Sequence, residues 1–507
     1  MISSSHLIVP LVSFILFIIF LFKWYSNPSS KALKRLPPSP PKLPLIGNLH
    51  QLGLFPHRSL HALSKRYGPL MLLHLGSVPA LIVSSADAAC EIMKNQDLIF
   101  SNRPKLSVID KVIYGSKDIA FAPYGEYWRQ VRSICVLHLL SNKRVQSFRR
   151  IREEEMSLMI EKIRHSSSSS INLSNILVTL TNDIISRVAL GRKYSDGEAE
   201  GSTKFELMLK ELAELLGTFN PGDYIPRLNW IKRVTGFEAR VEKLARRFDE
   251  FFEGVVEEHR NRKKGETNLK DSSHEADLVD ILLEAQRENM AVSPIENDTI
   301  KAVIFDIFAA GTDTIYTSLE WTMAELLRHP KTMEKLQNEV RQIAGSKLDI
   351  TEDDLEKLSY LKAVMKESLR LHPPLPLLLP RESTQDSSIS GYDIARGTRV
   401  LINSWAIGRD PLVWENPNDF QPERFLNTEM DFRGLNFEYI PFGAGRRGCP
   451  GITFAIAVDE LALAKLILNF DFALPFGLTE KDFDMSEAPG NTITKKFPLV
   501  VTISPPS

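Results

Sequence analysis

A mainly α-helical fold with a minor β-sheet region is what this sequence predicts, on three observations. Long segments carry apolar residues at three- and four-residue spacing, β-branched runs are few and short, and no self-similar period of roughly 20 to 50 residues recurs to signal a solenoid or propeller. The helical patterns cover Glu153–Ile163, Phe205–Leu216, Ala239–His259 and Thr299–Leu327, with polar faces between the apolar positions. Leu70–Leu75, Ala80–Val83 and Arg399–Ile402 read as strands. Loops fall at the serine run 166–170, at 191–203 and at the charged stretch 262–277. None of them separates stretches of different composition, so one large body is expected over 45–507.

The chain has 507 residues, 62 basic and 63 acidic, for a net charge of −1. That balance excludes a general nucleic-acid binder, which needs a basic excess to neutralise phosphates. Three cysteines, Cys90, Cys135 and Cys449, cannot build a disulfide framework and point to a reducing compartment.

Residues 1–25 read as a membrane anchor. Leu7–Phe22 is an uncharged apolar run of sixteen residues, slightly short of the ~20 that a spanning helix needs. Trp24 and Tyr25 supply an interfacial aromatic anchor, and Lys23, Lys31, Lys34 and Arg35 supply a basic flank on the cytosolic side. A cleaved signal peptide is disfavoured because Met1–His6 holds no Lys or Arg. Residues 26–44 read as a basic, proline-rich hinge, since five prolines in Leu36–Pro44 favour stiff extended backbone.

Pro441–Gly451, PFGAGRRGCPG, packs four glycines into eleven residues, which costs backbone entropy unless the chain must turn tightly or approach something closely. The apolar helical pattern that follows puts Cys449 at a helix N-terminus, where free N–H groups and the positive dipole end favour anionic sulfur, with Arg446 and Arg447 expected to add positive charge. A single thiolate is not a structural zinc site. It suits a large cofactor that brings its own remaining ligands, and a haem held by cysteinate is the leading example. Cys90 and Cys135 lie on amphipathic patterns and read as core packing.

In these residues the sequence resembles the haem-thiolate monooxygenases, the cytochromes P-450. The family motif Phe-x-x-Gly-x-Arg-x-Cys-x-Gly is matched by Phe442, Gly445, Arg447, Cys449 and Gly451. The wording of LPPSPP, of Arg103-Pro104 and of AFAPYGEYWRQVR is similar to plant microsomal members of the seventy-one family, a monoterpene oxidase among them. The resemblance implies a cytochrome P-450 fold behind the anchor, with Cys449 as axial ligand to the iron of haem (iron protoporphyrin IX). Trp128, Arg132, Arg381 and Arg447 are implied as propionate contacts, guanidinium being the natural partner of carboxylate, and Phe442 as part of the haem-binding loop. It further implies Thr312 and Asp313, in the Ala309–Thr314 stretch AAGTDT, as the acid-alcohol pair that delivers protons for oxygen activation. Thr312 is expected to bond back to a carbonyl one turn earlier and, with Gly311, to widen the helix locally. Glu367, Arg370 and Arg424 resemble the family's buried structural network, holding the cysteine loop rather than reacting.

The expected partners are an NADPH-cytochrome reductase, cytochrome b5 as a further electron donor, the endoplasmic reticulum membrane, O2 and a small lipophilic substrate. Arg129, Arg132, Lys143, Arg144, Arg149, Arg150 and Arg152 form a run with no acid among them, which with Arg446 reads as a docking face for an acidic reductase. A pocket is expected from parts of 105–122, 207–219, 302–310, 374–379 and 487–493, including Val108, Ile109, Val112, Ile304, Phe305, Ile307, Phe308, Leu375, Leu377 and Leu378. Few charges there could pair an ionic ligand, so a small lipophilic substrate follows, a terpenoid first. A furanocoumarin precursor, an aldoxime, an indole alkaloid, and a non-oxygenating haem-thiolate isomerase or dehydratase stay open.

Overall fold

The computed structural model describes residues 35–166, 170–193, 200–218, 220–266, 276–288, 294–347, 349–475 and 477–506. The expected anchor, residues 1–25, and hinge residues 26–34 lie outside them. Among the described residues no helix is long and apolar enough to cross a membrane.

Helices longer than eight residues are α1 (Pro56–Tyr67), α2 (Glu126–Ile134), α3 (Arg149–Arg164), α4 (Leu173–Leu190), α5 (Glu200–Gly217), α6 (Phe237–Glu266), α7 (Leu278–Arg287), α8 (Asn297–Arg328), α9 (Pro330–Ala344), α10 (Ser359–Leu371) and α11 (Ile452–Asn469). The strands are β1 (Leu70–Leu75), β2 (Val78–Val83), β3 (Ser170–Asn172), β4 (Arg381–Glu382), β5 (Ser387–Ile389), β6 (Tyr392–Ile394), β7 (Arg399–Ile402), β8 (Asp471–Ala473) and β9 (Val500–Ser504). Each helix expected from apolar spacing lies inside one of these, and β1 and β7 match their expected bounds. The expected loops 191–203 and 262–277 are shorter, because α5 starts at Glu200 and α6 runs to Glu266.

One sheet has the order β1-β2-β7-β4. β1 and β2 pair antiparallel from Leu70↔Val83 to Leu75↔Val78, β7 joins β2 in parallel with Ala80 opposite Arg399, and β4 closes the edge antiparallel with Arg381 opposite Val400. β3, β9 and β8 form a second antiparallel sheet, and β5 and β6 a hairpin. The described part of the proline segment does not stand off as a spacer. Pro38 O accepts the Leu72 N–H at 2.9 Å, Asn48 Nδ2 reaches Pro40 O and Pro41 O, and Pro37 and Pro40 are buried.

The core is centred on α8, which packs along α4 and also meets α10 and α11. Its polar positions, expected to face solvent, are largely buried and satisfied by other elements. Glu320 bonds Ser174, Thr322 donates to Ser368 Oγ at 2.8 Å, and Glu325 accepts from His372 at 2.7 Å. Gly311 serves the α4 contact, since a Cβ there would lie 2.5 Å from the Ile185 Cδ1. α8 ends at His329 because Pro330 disfavours helical backbone in the residue before it and opens α9 instead.

Candidate functional site

The glycine-rich loop ends in a tight turn over Gly445–Arg447, and α11 starts at Ile452. The Cys449 N–H donates to Phe442 O at 3.0 Å and closes the loop on itself. Gly445 has φ +67°, and a Cβ on it would stand 2.2 Å from Met93 O, so no other residue fits. Cys449 is accessible yet ringed by protein atoms, as befits a side chain facing an internal space. Burial pushes its thiol up, while the Gly451 N–H and the Arg132 guanidinium favour the anion.

The cation beside the sulfur is therefore Arg132, whose Nη2 donates to Gly448 O at 2.5 Å, and not the adjacent arginines expected there. Arg446 turns to Asp97 at 3.3 Å, and Arg447 turns inward to Ser101 O at 2.7 Å and Ala122 O at 2.6 Å. Of the other cysteines, Cys135 is fully buried, its thiol pushed up to about 12 by burial, and Cys90 is half-buried against the sheet-side core.

Four guanidiniums gather from segments far apart in sequence. Arg132 comes from α2, Arg381 from β4 and Arg447 from the cysteine loop. The fourth, Arg103, precedes Pro104 and was not among the expected site residues, although the Arg-Pro wording was its signal. Arg103 is buried on Ala120 O, Leu379 O and Pro380 O at 2.7–2.8 Å. Arg381 pairs with Asp97 Oδ1 at 3.0 Å and donates to Ala444 O. The Arg447 guanidinium stacks 4.1 Å from the Trp128 ring, and Trp128 Nε1 donates to Ile119 O at 2.9 Å. Burial presses all four down, and repulsion by neighbouring guanidiniums adds to it at Arg447, lowered to about 9, and at Arg103, lowered well below its ordinary value. Such a cluster is short of negative charge, which a ligand carrying carboxylates would supply.

The middle of α8 carries accessible positions. Ala310 is exposed and Ala309, Gly311 and Asp313 are half-buried within an otherwise buried helix. The helix is nevertheless continuous, and the back-bond is made by Thr314, whose Oγ1 donates to Ala310 O at 2.7 Å. Thr312 Oγ1 is buried and has no hydrogen-bond partner among the described residues. Burial raises the Asp313 carboxyl, and the Thr492 hydroxyl opposes this by bonding its charged form. Thr492 belongs to the 487–493 segment expected in the pocket, and Ile493 N–H and O anchor that segment to Pro374 O and Trp321 Nε1.

The pocket reading needs correction at several residues. Phe305 packs edge-on to Phe248 of α6 at 5.2 Å, and Val108, Ile109, Val112, Ile304 and Phe308 are buried in the helical core. Accessible apolar positions remain at Ile307, Ala310, Leu375, Leu377 and Leu378. Phe219 lies outside the described residues.

Glu367 and Arg370 are fully buried and bonded at 2.7 and 2.8 Å, and Arg424 Nε joins at 3.0 Å. Arg370 also donates to Gly408 O, Pro417 O and Asp419 O, tying α10 to the segment that leads into the cysteine loop.

Much of the basic run is spoken for. Arg149 bonds Glu153 and Asp353, Arg150 bonds Glu154, Arg152 is buried on Glu352, and Arg132 turns toward Cys449. The acids that answer these groups begin one residue past the run or arrive from residues 352–353. Arg129 and Lys143 stay exposed and Arg144 half-exposed, beside exposed Val136 and Leu137.

These residues fit a haem: a sulfur on an internal space, an under-compensated guanidinium cluster, and a helix bearing an unpartnered hydroxyl. The comparisons with known proteins agree in kind. A family model described as Cytochrome P450 matches residues 37–499. The chain is 58% identical to norfluorocurarine oxidase of Strychnos sp over 468 residues, 91% of each chain. It is 55% identical to (+)-menthofuran synthase of Mentha piperita over 465 residues, 92% of each. A zebra fish cytochrome P450 solved with abiraterone superposes with a TM-score of 0.74 at 28% identity, covering 89% of this chain and all of that one.

Proposed function

Because this chain belongs to the cytochrome P450 family, we propose that it inserts one oxygen atom from O2 into a small lipophilic plant metabolite, a terpenoid, with Cys449 holding the iron. When bound, the haem supplies the oxygen-activating chemistry of the family, with NADPH electrons arriving through a reductase. Trp128, Arg132, Arg381 and Arg447, joined by Arg103, hold the propionates, and Phe442 shapes the cysteine loop. Burial raises the Asp313 carboxyl above its ordinary value, and with the neighbouring Thr312 hydroxyl it forms the proton-delivering pair.

The observation that carries this reading over an isomerase or dehydratase is Thr312 Oγ1, buried, unpartnered and next to Asp313. Oxygen activation requires a proton-delivering pair, and consumption of NADPH and O2 with added reductase separates it from an acid-catalysed isomerisation or dehydration. Thr312→Ala is expected to keep the thiolate-type spectrum while coupled product formation falls on the order of a hundredfold, the usual worth of a positioned proton donor, with NADPH diverted to peroxide. Fully coupled turnover in that variant excludes the role.

The substrate class rests on the accessible apolar positions from Ile307 to Leu378, which offer no ionic partner. Relatives of similar identity are named for different compounds, norfluorocurarine and (+)-menthofuran, so overall identity does not choose the substrate class. Incubating full-length protein, reductase and NADPH with a terpenoid and phenolic library, read by mass for a gain of one oxygen, tests it. Oxygenation confined to phenolics or to nitrogenous substrates refutes the terpenoid reading.

Residues 1–25 are proposed as a single-pass anchor in the endoplasmic reticulum with the body cytosolic. Support comes from exposed Leu45, Leu54, Trp230 and Val234, on segments brought together where Tyr224 O meets the β1–β2 turn and Gly47 pairs with Leu75. Arg129, Lys143, Arg144 and Arg446 remain for reductase docking, and cytochrome b5 would use the same face.

A further inference from the structure

Asp306 sits on α8 six residues before Thr312, and nothing in the oxygen chemistry uses it. Its Oδ2 accepts the N–H of Ile119 at 2.7 Å and of Ala120 at 3.2 Å, and Asp118 Oδ2 accepts the N–H of Phe121 at 2.9 Å. The carbonyls of the same strap serve the guanidinium cluster. Ile119 O takes Trp128 Nε1 at 2.9 Å and Arg447 Nη1 at 3.3 Å, Ala120 O takes Arg103 Nε at 2.8 Å, and Ala122 O takes Arg447 Nη2 at 2.6 Å. One face of residues 119–122 is thus held by carboxyls, and the other holds cations.

We propose that Asp306 is a positioning residue for haem retention: clasped to Asp118, it fixes the 119–122 strap and, through it, the Arg103, Arg447 and Trp128 side chains that would hold the propionates. The proposal rests on the haem reading above. The clasp needs one proton. Asp118 Oδ1 is buried and meets no N–H or hydroxyl donor among the described residues, while the Asp306 carboxyl is its hydrogen-bonding neighbour. Two carboxylates in contact away from water cannot both ionise. Burial, then the Asp118 charge, raises Asp306 well above the carboxylate range, against the two strap N–H groups. Arg103 and Arg447 face Asp118 and favour its ionised form. The proton therefore resides on Asp306 and is donated to Asp118.

The other titratable groups facing the pair stay neutral near pH 7. Cys135 is pushed up to about 12 by burial and by Asp306, and burial also raises Tyr127, which faces Asp118. With the folded carboxyl raised above its unfolded value, the clasp is complete at low pH and is lost as pH rises through the raised value.

The test is the rate of haem transfer from the full-length protein to excess apomyoglobin across pH, with infrared detection of an un-ionised carboxyl. Wild type should transfer haem faster as pH rises and show that carboxyl near neutrality. Asp306→Asn keeps an acceptor for the strap and a donor for Asp118, so it should flatten the pH rise and show up as the loss of one un-ionised carboxyl in the wild-type-minus-variant infrared difference, other buried acids such as Asp459 cancelling. Asp306→Ala, losing two backbone bonds to a buried acceptor, should transfer haem on the order of tenfold faster at every pH. An alanine variant indistinguishable from wild type, or an asparagine variant that keeps the pH rise and gives no carboxyl signal in the infrared difference, overturns the proposal. Wild-type protein carrying no transferable haem would overturn the cofactor reading as well, which separates the two failures.

Discussion

Replacing Cys449 by alanine is expected to abolish the thiolate-type absorption of the reduced, carbon-monoxide-treated protein, together with all NADPH-driven turnover. The expectation follows from the loop's construction. The sulfur is placed by the Cys449 N–H to Phe442 O bond and by a turn that only glycine at 445 permits, and Arg132 and the Gly451 N–H favour its anionic form. Burial keeps the free thiol protonated, so the site does not stabilise a bare thiolate unaided; a metal that displaces the proton completes it. Some pigment should persist in the variant, because the guanidinium cluster is built from other elements. Retention of the thiolate-type band in Cys449→Ala, read in a difference spectrum, would remove the basis of the functional reading.

The second large effect concerns a residue that touches no reactant. Glu367→Ala leaves Arg370, which is fully buried, without its bidentate carboxylate and leaves Arg424 and the Gln421 N–H without an acceptor. Breaking a buried pair by removing one partner costs about 3–5 kcal/mol. Protein that accumulates should unfold at markedly lower urea and carry little haem, since Arg370 also holds the carbonyls of Gly408, Pro417 and Asp419. Glu367→Gln should fall between, restoring an acceptor without the charge. A loss below about 1 kcal/mol, measured by urea unfolding, would mean that the pair behaves as a solvated surface bridge.

The regular elements were legible because their signal is local. Apolar spacing placed α3, α5, α6 and α8 within longer observed helices, and short apolar or β-branched runs placed β2 within a longer strand and β1 and β7 at their observed bounds. Where the reading went astray, a distant segment had the deciding vote. The polar positions of α8 looked like a solvent face, but Ser174, Ser368 and His372 come from α4, α10 and the turn after it to satisfy them. Gly311 looked like a helix opener, but the Ile185 side chain explains its missing Cβ. The proline segment looked like a free spacer, yet β1 offers the Leu72 N–H to Pro38.

The candidate site divides in the same way. The glycine-rich motif marked Cys449 and Arg447, the family resemblance marked Thr312, Asp313, Trp128, Arg132 and Arg381, and the fold brings Cys449 beside Arg132 and the guanidiniums into one cluster. Neither signal marked Arg103, Asp306, Asp118 or Thr492, whose partners stand tens to hundreds of positions away. Nor did adjacency predict charge: Arg446 and Arg447 neighbour the cysteine in sequence and point elsewhere.

By itself, then, the order of residues determined the helical class, the glycine turn around Cys449, and the Glu367/Arg370 spacing, because each depends on backbone geometry over fewer than about a dozen residues. Which cation faces the sulfur, which carboxyls are forced to share a proton, and which polar side chains are left without a partner were decided only by tertiary packing. Burial strips water from such groups and leaves their charge state to whichever side chains the fold delivers.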